Sequence, residues 1–205
     1  MKTEDSYNEK YSEKKFYWGK NPSSTAKKLM EIISTINFSG KKVIDLGCGE
    51  GRDAVFYAKK GFEVLAIDIS EQGLKKTEKY DKEENLNIKT LKENIIDYRL
   101  EERYDIIIST GVLHYLPPRQ RTEKFQNYKE FTNTGGINAF SVFVKKPFIE
   151  KAPDADPNAY FFKSGEIMTY YWDWEILYCT EEIFNCNSSN IPHRHAVNRI
   201  IARKI

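Results

Sequence analysis

No stretch of the chain stays apolar for anything near the ~20 residues a bilayer-spanning helix requires. The first residues, Met1-Lys-Thr-Glu-Asp-Ser, are polar and charged and do not resemble a secretory leader. Cysteine is scarce. Cys48, Cys179 and Cys186 form an odd set without paired spacing, which argues against a disulfide framework and rules out a Cys-x-x-Cys zinc element, so no metal site is expected. Neither sign of charge dominates: 32 basic residues face 30 acidic ones, for a net charge of +2. No strong field therefore draws the chain to nucleic acid or to an anionic membrane. Repeats, low-complexity tracts and flexible linkers are also missing. Together these absences lead us to expect a cytoplasmic protein with reduced thiols and a small-molecule substrate, as a monomer or weak homodimer.

The residues that are present suit one well-buried domain. The chain has 205 residues, 40% of them apolar, 30% charged and 14% aromatic. Residues 1–24 are read as an N-terminal arm and 25–205 as the domain. The arm carries Tyr7, Tyr11, Phe16, Tyr17 and Trp18 without a clear period. Its rings either pack on the domain surface or form a lid over a ligand. Ser23 and Ser24 are caps for a helix in which Ala26, Leu29, Met30, Ile33 and Ile36 recur at helical steps, ended by Asn37-Phe-Ser-Gly40.

From there strands alternate with helices. Lys42 to Leu46 reads as a strand, Arg52 to Lys60 as a helix stopped by Gly61, and Phe62 to Ile69 as a buried strand. Ser70 caps a charged helix from Glu71 to Glu84. Asn87 to Leu91 and the strongly apolar Tyr104 to Ser109 are further strands. After Pro117-Pro118, Phe125, Tyr128 and Phe131 mark a helix expected to stop at Gly135-Gly136, followed by a strand from Ile137 to Val144. A short helix begins at Glu166, and Trp174 to Cys179 and His195 to Arg203 read as extended. Alternation with near-continuous apolar strands indicates a buried, mostly parallel sheet. The last two strands have no helix of useful length between them, so an antiparallel edge hairpin is expected.

The most informative segment is Val43-Ile-Asp45-Leu-Gly47-Cys-Gly49-Glu-Gly51-Arg52, where a strand runs into glycines at alternate positions and then into a helix. Glycine admits positive φ and lets backbone approach a ligand without a Cβ in the way. About 20 residues on, Asp68 ends the next strand, where an acid can accept bonds from ribose hydroxyls. The Gly-x-Gly-x-Gly spacing differs from the Gly-x-Gly-x-x-Gly of dinucleotide folds. Asp45 within the strand suits a ligand bearing a sulfonium and an amino group better than one bearing phosphates.

This pattern resembles the class I S-adenosylmethionine (SAM)-dependent methyltransferases. The resemblance implies a single Rossmann-like α/β domain with a seven-stranded, mostly parallel sheet, an antiparallel C-terminal edge hairpin and helices on both faces. It also implies that Asp45, Gly47 and Gly49 surround the methionine part of SAM, with Gly51 and Arg52 close by. Asp68 would bind the ribose, Ile69 and Ile95 would flank the adenine, and Asn94 would stand where the family usually has an aspartate facing the adenine amino group. Thr110, between Ser109 and Gly111, would lie at the ligand-facing rim, and Leu113-His114-Tyr115-Leu116 beneath the methionine tail. S-adenosylhomocysteine would be the product.

The chain lacks the Asn/Asp-Pro-Pro-Tyr/Phe tetrapeptide of amino methylases, carrying Ser109-Thr-Gly-Val112 in its place, and lacks a Pro-Cys nucleophile. Its C-terminal third is more particular. Phe162-Lys-Ser-Gly-Glu166 through Trp174-Glu175, Pro192-His193-Arg194-His195 through Lys204, and Gly49-Glu-Gly-Arg-Asp53 are similar to the tellurite-resistance methyltransferase family of the TehB type. Some relatives carry a small β-domain before the methyltransferase, which is not expected at this length.

That resemblance implies methyl transfer to tellurite or selenite, with His193, Arg194 and Arg199 binding the oxyanion. Strand alternation bears on this, because His193, His195 and Val197 share one face while Arg194 and Asn198 share the other. Pro192 would relax the conflict by placing His193 and Arg194 in a loop. His114 is either a partly buried histidine near the cofactor or a catalytic one. Trp172 and Trp174 are core or cover residues, or else a substrate cage. The rival readings are a methyltransferase for an organic metabolite or thiol, a SAM-binding module without turnover, and, more distantly, a nicotinamide oxidoreductase.

Overall fold

The structure, a computed structural model, describes residues 3–34, 40–153, 155–187 and 191–205. Ile36 and the Asn37–Ser39 part of the expected stop lie outside the described residues. Helix α1 spans Thr3–Ser12 and α2 spans Ser24–Ile32. Strand β1 (Lys42–Leu46), α3 (Arg52–Ala58), β2 (Glu63–Asp68), α4 (Glu71–Glu84) and β3 (Ile88–Lys92) follow. The second half holds β4 (Tyr104–Thr110), a 3-10 turn at Leu113–Tyr115, α5 (Pro118–Glu130), β5 (Thr132–Val144), a 3-10 turn at Glu166–Tyr170, β6 (Glu175–Cys186) and β7 (His193–Arg203).

The strands make one seven-stranded sheet in the order β3-β2-β1-β4-β5-β7-β6. The first five are mutually parallel, and β7 enters antiparallel between β5 and β6. The expected fold class is therefore what forms. Alternation along β1 and β4 sends Ile44, Leu46 and Ile107 to one face, where Phe125, Tyr128, Phe140 and Tyr171 cover them. Val43, Ile106 and Ile108 go to the other face, under Ala26, Leu29, Ala54, Tyr57 and Leu74 of α2, α3 and α4. Each fully buried Ile or Leu contributes roughly 1.5–3 kcal/mol by leaving water. No described helix is long and apolar enough to cross a membrane.

Local chemistry sets the element ends. The Ser23 side chain accepts from the Ala26 N–H at 3.1 Å, and the Ser70 side chain accepts from the Gly73 N–H at 3.1 Å. Each satisfies a backbone donor left open in the first helical turn.

Three expectations are corrected. α5 ends at Glu130, and Gly135-Gly136 lie inside β5, in an irregularity where its register with β4 slips between Tyr104 and Ile106. The final hairpin is longer than expected, because β6 runs on to Cys186 and β7 starts at His193. Its end pairs Phe184 with His195 and Cys186 with His193, beyond the last β5 partner, Val144 opposite Ala196. Finally, the arm contains a helix, α1, whose Tyr7 and Tyr11 sit one turn apart with ring centroids at 5.5 Å.

Away from the sheet's ligand-facing rim, Arg121 is the largest fully buried side chain. Its Nη1 donates to Glu166 Oε1 at 2.6 Å, its Nε donates to the Leu116 carbonyl at 3.2 Å, and its Nη2 reaches the Tyr160 carbonyl. The guanidinium lies 3.6 Å from the Phe162 ring centroid. One side chain thus joins α5 to the segment before β6. Trp174 is buried in the same core against Tyr171, whereas Trp172 is 83% exposed.

His114 is buried between Tyr115, Phe143 and Phe161, and its Nδ1 lacks a hydrogen-bond partner among the described residues. Burial lowers its pKa from 6.5 to about 3, with Arg121 and His195 adding to the effect and Asp156 opposing it.

Two outcomes follow from these buried groups. Arg121→Met should cost about 3 kcal/mol, measured by urea unfolding, because Glu166 and two carbonyls lose their donor. The unfolded chain takes up a proton at His114 that the folded chain refuses between pH 6.5 and about 3. Stability from this group is therefore complete above that window and is lost as pH falls, at up to ~1.4 kcal/mol per pH unit. The unfolding free energy of His114→Gln should fall less steeply with acidification than that of the unsubstituted protein.

Candidate active site

The carboxyl ends of β1, β2, β3 and β4 open onto a cavity of about 1050 Å³. Ligands in open α/β sheets bind at this rim. Asp45, Gly47, Gly49, Arg52, Asp68, Ile69, Asn94, Ile95 and Thr110 all line it, so most of the residues read as cofactor-binding are brought together. Gly51 is not among the lining residues. At φ +82°, it would put a Cβ 2.5 Å from Thr77 Oγ1, so it seats the loop against α4. Gly47 does face the cavity, and a Cβ there would meet the Val112 side chain at 2.4 Å.

Two carboxylates fix the loop. Asp68 Oδ2 accepts from the Gly49 N–H at 2.8 Å, and Oδ1 accepts from the Ser70 N–H at 2.8 Å. Burial raises its pKa, while the bonds from Ser70, Gly49 and Ile69 pull it back. Asp53 accepts from the Ser23 N–H at 2.7 Å and from the Thr110 hydroxyl at 3.1 Å, tying the start of α2 to β4.

Asp45 is different. It is 2% exposed, and its Oδ2 has no partner among the described residues. Burial first, then Asp53 and Asp68, push its pKa well above the carboxylate range. A buried, unpaired carboxylate among other acids is costly by itself and is relieved by a cation.

The remaining assigned residues are more varied. Asn94 lines the cavity, but its side-chain oxygen already accepts from the Ile96 N–H at 3.0 Å. That leaves its amide nitrogen and one lone pair for a ligand. Ser109 bonds the Leu46 carbonyl at 2.7 Å within the core and does not reach the cavity. Tyr115 lines the cavity, whereas His114 faces the core. Trp172 and Trp174 are both absent from the lining.

The arm covers the rim. Tyr7, Tyr11 and Trp18 line the cavity, with Tyr7 Oη 3.1 Å from Tyr115 Oη and Trp18 Nε1 donating to Tyr11 Oη at 3.1 Å. Glu50 in the glycine turn accepts from the Tyr17 N–H at 2.7 Å and pairs with Lys76 at 2.6 Å. Asn8 accepts from the Ser70 hydroxyl at 2.8 Å. The arm thus packs on the domain and contributes lining to the cavity.

The three basic residues do not form one ring. The strand is regular from His193, so Arg199 shares the cavity face with Val197, Phe184 and Cys186, while Arg194 stands on the opposite face. Arg199 lines the cavity and pairs with Glu182 through Nη1, and its buried Nε has no partner among the described residues. His193 lies further out, with Nε2 2.9 Å from His195 Nε2.

Sequence reasoning gave Asp53 no role of its own, although it follows the glycine turn directly, and named Tyr7 and Tyr11 as rings of the arm without seeing the helix α1, for which their four-residue step was the available signal. It also looked only for cysteine pairs, and so passed over the juxtaposition of Cys186, His193 and His195.

Comparison with known proteins supports the fold and gives the family. A family model described as "Tellurite resistance protein TehB" matches residues 2–200. "Probable S-adenosyl-L-methionine-dependent methyltransferase TehB" of Haemophilus influenzae is 32% identical over 173 residues, covering 84% of this chain and 59% of that protein. The chain therefore spans about three fifths of the length of the curated relatives it matches first. A ubiquinone biosynthesis O-methyltransferase of Coxiella burnetii is 32% identical over 115 residues, 56% of this chain and 48% of that one. The crystal structure of TehB from Haemophilus influenzae aligns with 100% of this chain and 68% of its own, at 28% identity and a TM-score of 0.78. A magnesium protoporphyrin IX methyltransferase from Synechocystis with bound SAM shares the fold, at 18% identity and a TM-score of 0.64 over 88% of this chain and 78% of that one. With its sheet order, glycine turn and nearly full-length match, the chain belongs to the TehB family of tellurite resistance proteins.

Proposed function

We propose that the chain is a SAM-dependent methyltransferase acting on a small soft nucleophile, with tellurite and selenite as the best acceptors and S-adenosylhomocysteine as product. The observation that carries this reading is Asp45: a buried carboxylate with an unpaired oxygen, in a cavity wall kept bare by Gly47 and Gly49. Asp45, Asp53 and Asp68 line the same cavity and would repel a pyrophosphate, whereas a ligand with an ammonium and a sulfonium supplies the missing positive charge.

Bound there, SAM supplies the methyl group on a sulfonium. The chain's own residues bind, orient and exclude water. Asp45 takes the cationic methionine end, Asp68 accepts from the ribose hydroxyls, Ile69 and Ile95 flank the adenine, and Asn94 faces its edge. Tyr7, Tyr11, Trp18 and Tyr115 keep water from the reacting centre. Burial raises the pKa of the Tyr7 phenol to about 12, so it stays neutral.

Of the three basic residues read as an oxyanion clamp, we assign the acceptor to Arg199, the one of them that lines the cavity. Methyl transfer needs the acceptor lone pair in line with the methyl group at about 3 Å, and such alignment can contribute several kcal/mol. A second reading, methylation of an organic acceptor, is supported by the apolar rings of Phe143, Phe184 and Tyr160 in the cavity wall and by the O-methyltransferase relatives.

Calorimetry should show one SAM and one S-adenosylhomocysteine site per chain. Failure of both to bind at millimolar levels would overturn the reading. Asp45→Asn should weaken SAM about 10-fold or more, the worth of one charge-assisted bond. Incubation with SAM and tellurite should convert SAM to S-adenosylhomocysteine and leave a methylated tellurium oxyanion in solution, while turnover confined to phenols or thiols would favour the organic acceptor. Arg199→Met should lower kcat/KM for tellurite at least about 10-fold with SAM affinity unchanged. Unchanged tellurite turnover in that variant would remove Arg199 from the acceptor site.

A further inference from the structure

The far end of the β6–β7 hairpin gathers three side chains able to ligate a metal, none of them assigned above to SAM or to its acceptor. Register places Cys186 opposite His193 and Phe184 opposite His195. Because β-strand side chains alternate, Cys186, His193 and His195 stand on one face, the face that carries Val197 and Arg199 toward the cavity. Their donor atoms, one sulfur and two imidazole nitrogens, all lie within 4.8 Å of one another. His193 Nε2 and His195 Nε2 approach to 2.9 Å, with the two rings nearly perpendicular at 88°.

We propose that Cys186, His193 and His195 bind a zinc ion. Three features of the cluster carry the assignment.

The first is distance. Zinc bonds of about 2.0–2.1 Å to nitrogen and 2.3 Å to sulfur, set at tetrahedral angles, require edges of about 3.3 Å between nitrogens and about 3.6 Å from nitrogen to sulfur. The two nitrogens need to separate by only a few tenths of an ångström, and the whole set already lies within the reach of one ion.

The second is tautomer. His193 Nδ1 lies 2.7 Å from the Ile191 carbonyl. Acting as the donor to that carbonyl, Nδ1 keeps the proton and leaves the Nε2 lone pair to a metal, the arrangement that orients most ligating histidines. Without a metal, two imidazole nitrogens at this distance must share one proton; with one, both present lone pairs.

The third is donor type. A thiolate with two imidazoles suits a borderline-soft transition ion and not magnesium or calcium, which take oxygen. Three protein ligands among the described residues leave a fourth position open, the composition of a zinc site that accepts water or another exogenous donor and not of a closed structural one. Cys186 and Phe184 also line the cavity, so that position neighbours the methyl-acceptor region. His193, read from the sequence as part of an anion clamp, is assigned here to metal binding. Zinc binding is read without cofactor or acceptor, so it stands or falls separately from the methyltransferase reading.

The test uses the whole purified chain, stripped with a chelator, loaded with zinc and desalted. Elemental analysis should give one zinc per chain. Cobalt loaded in its place should give a thiolate-to-metal charge-transfer band. Cys186→Ser should abolish that band, and Cys186→Ser and His195→Gln should each weaken zinc at least about 10-fold. Cys179→Ser, a thiol on the same strand, should change neither. Circular dichroism checks that the variants fold, and the cobalt spectrum of the unsubstituted chain decides the matter even if one does not. Absence of stoichiometric zinc, absence of the charge-transfer band, or a band that survives Cys186→Ser would each overturn the proposal.

Discussion

The grip of Asp68 on the glycine turn is the contact on which the site's construction depends. One oxygen receives the Gly49 N–H and the other the Ser70 N–H, so the end of β2 holds both the turn that follows β1 and the start of α4. The turn cannot drift from the sheet without leaving a buried carboxylate undersatisfied, which costs on the order of 1–3 kcal/mol or more for a charged group. With the turn fixed, Gly47 fits under Val112, Gly51 against Thr77, and Asp45 remains in the wall. The site is therefore rigid on the sheet side, as sites built on strand ends generally are.

The arm completes the opposite wall from a different source of order. α1 has little apolar surface of its own, and a ten-residue helix is marginal in isolation. Its order comes from the domain: Tyr11 is buried at the turn, Asn8 meets the cap of α4, and Glu50 gathers the Tyr17 N–H and Lys76. Several of these contacts fall on the glycine turn or on the cap beside it, so the arm and the turn are mechanically connected.

Much of this was legible from residue patterns. Ile106, Ile107 and Ile108 could only be a strand buried on both faces, and the alternate glycines with Asp45 and Asp68 marked the rim. Ser23 and Ser70 were readable as caps because their side chains compete for backbone donors wherever they stand. Where reading failed, tertiary context had decided. Phe131 closes α5 and Gly135-Gly136 serve β5, a choice set by pairing with β4 and not by glycine's preference. α1 was hidden because its apolar stripe is two tyrosines, and the reach of the final hairpin depended on partners supplied across six intervening residues. Arg194 and Arg199, an odd five positions apart, were put on opposite faces by the period of the strand itself.

The same hairpin leaves β6 as one border of the sheet, with a row of backbone groups that no strand among the described residues takes up. Such a border invites strand addition from another chain. Here it carries Glu175, Glu181 and Glu182, each held by a cation on an adjoining segment: Arg203, Lys146 and Arg199. The far border is the short β3, which carries Lys89 and Lys92. Fixed charge at both margins discourages aggregation through the sheet, so Glu182, the partner of the cavity arginine, also helps keep the protein from polymerising edge to edge.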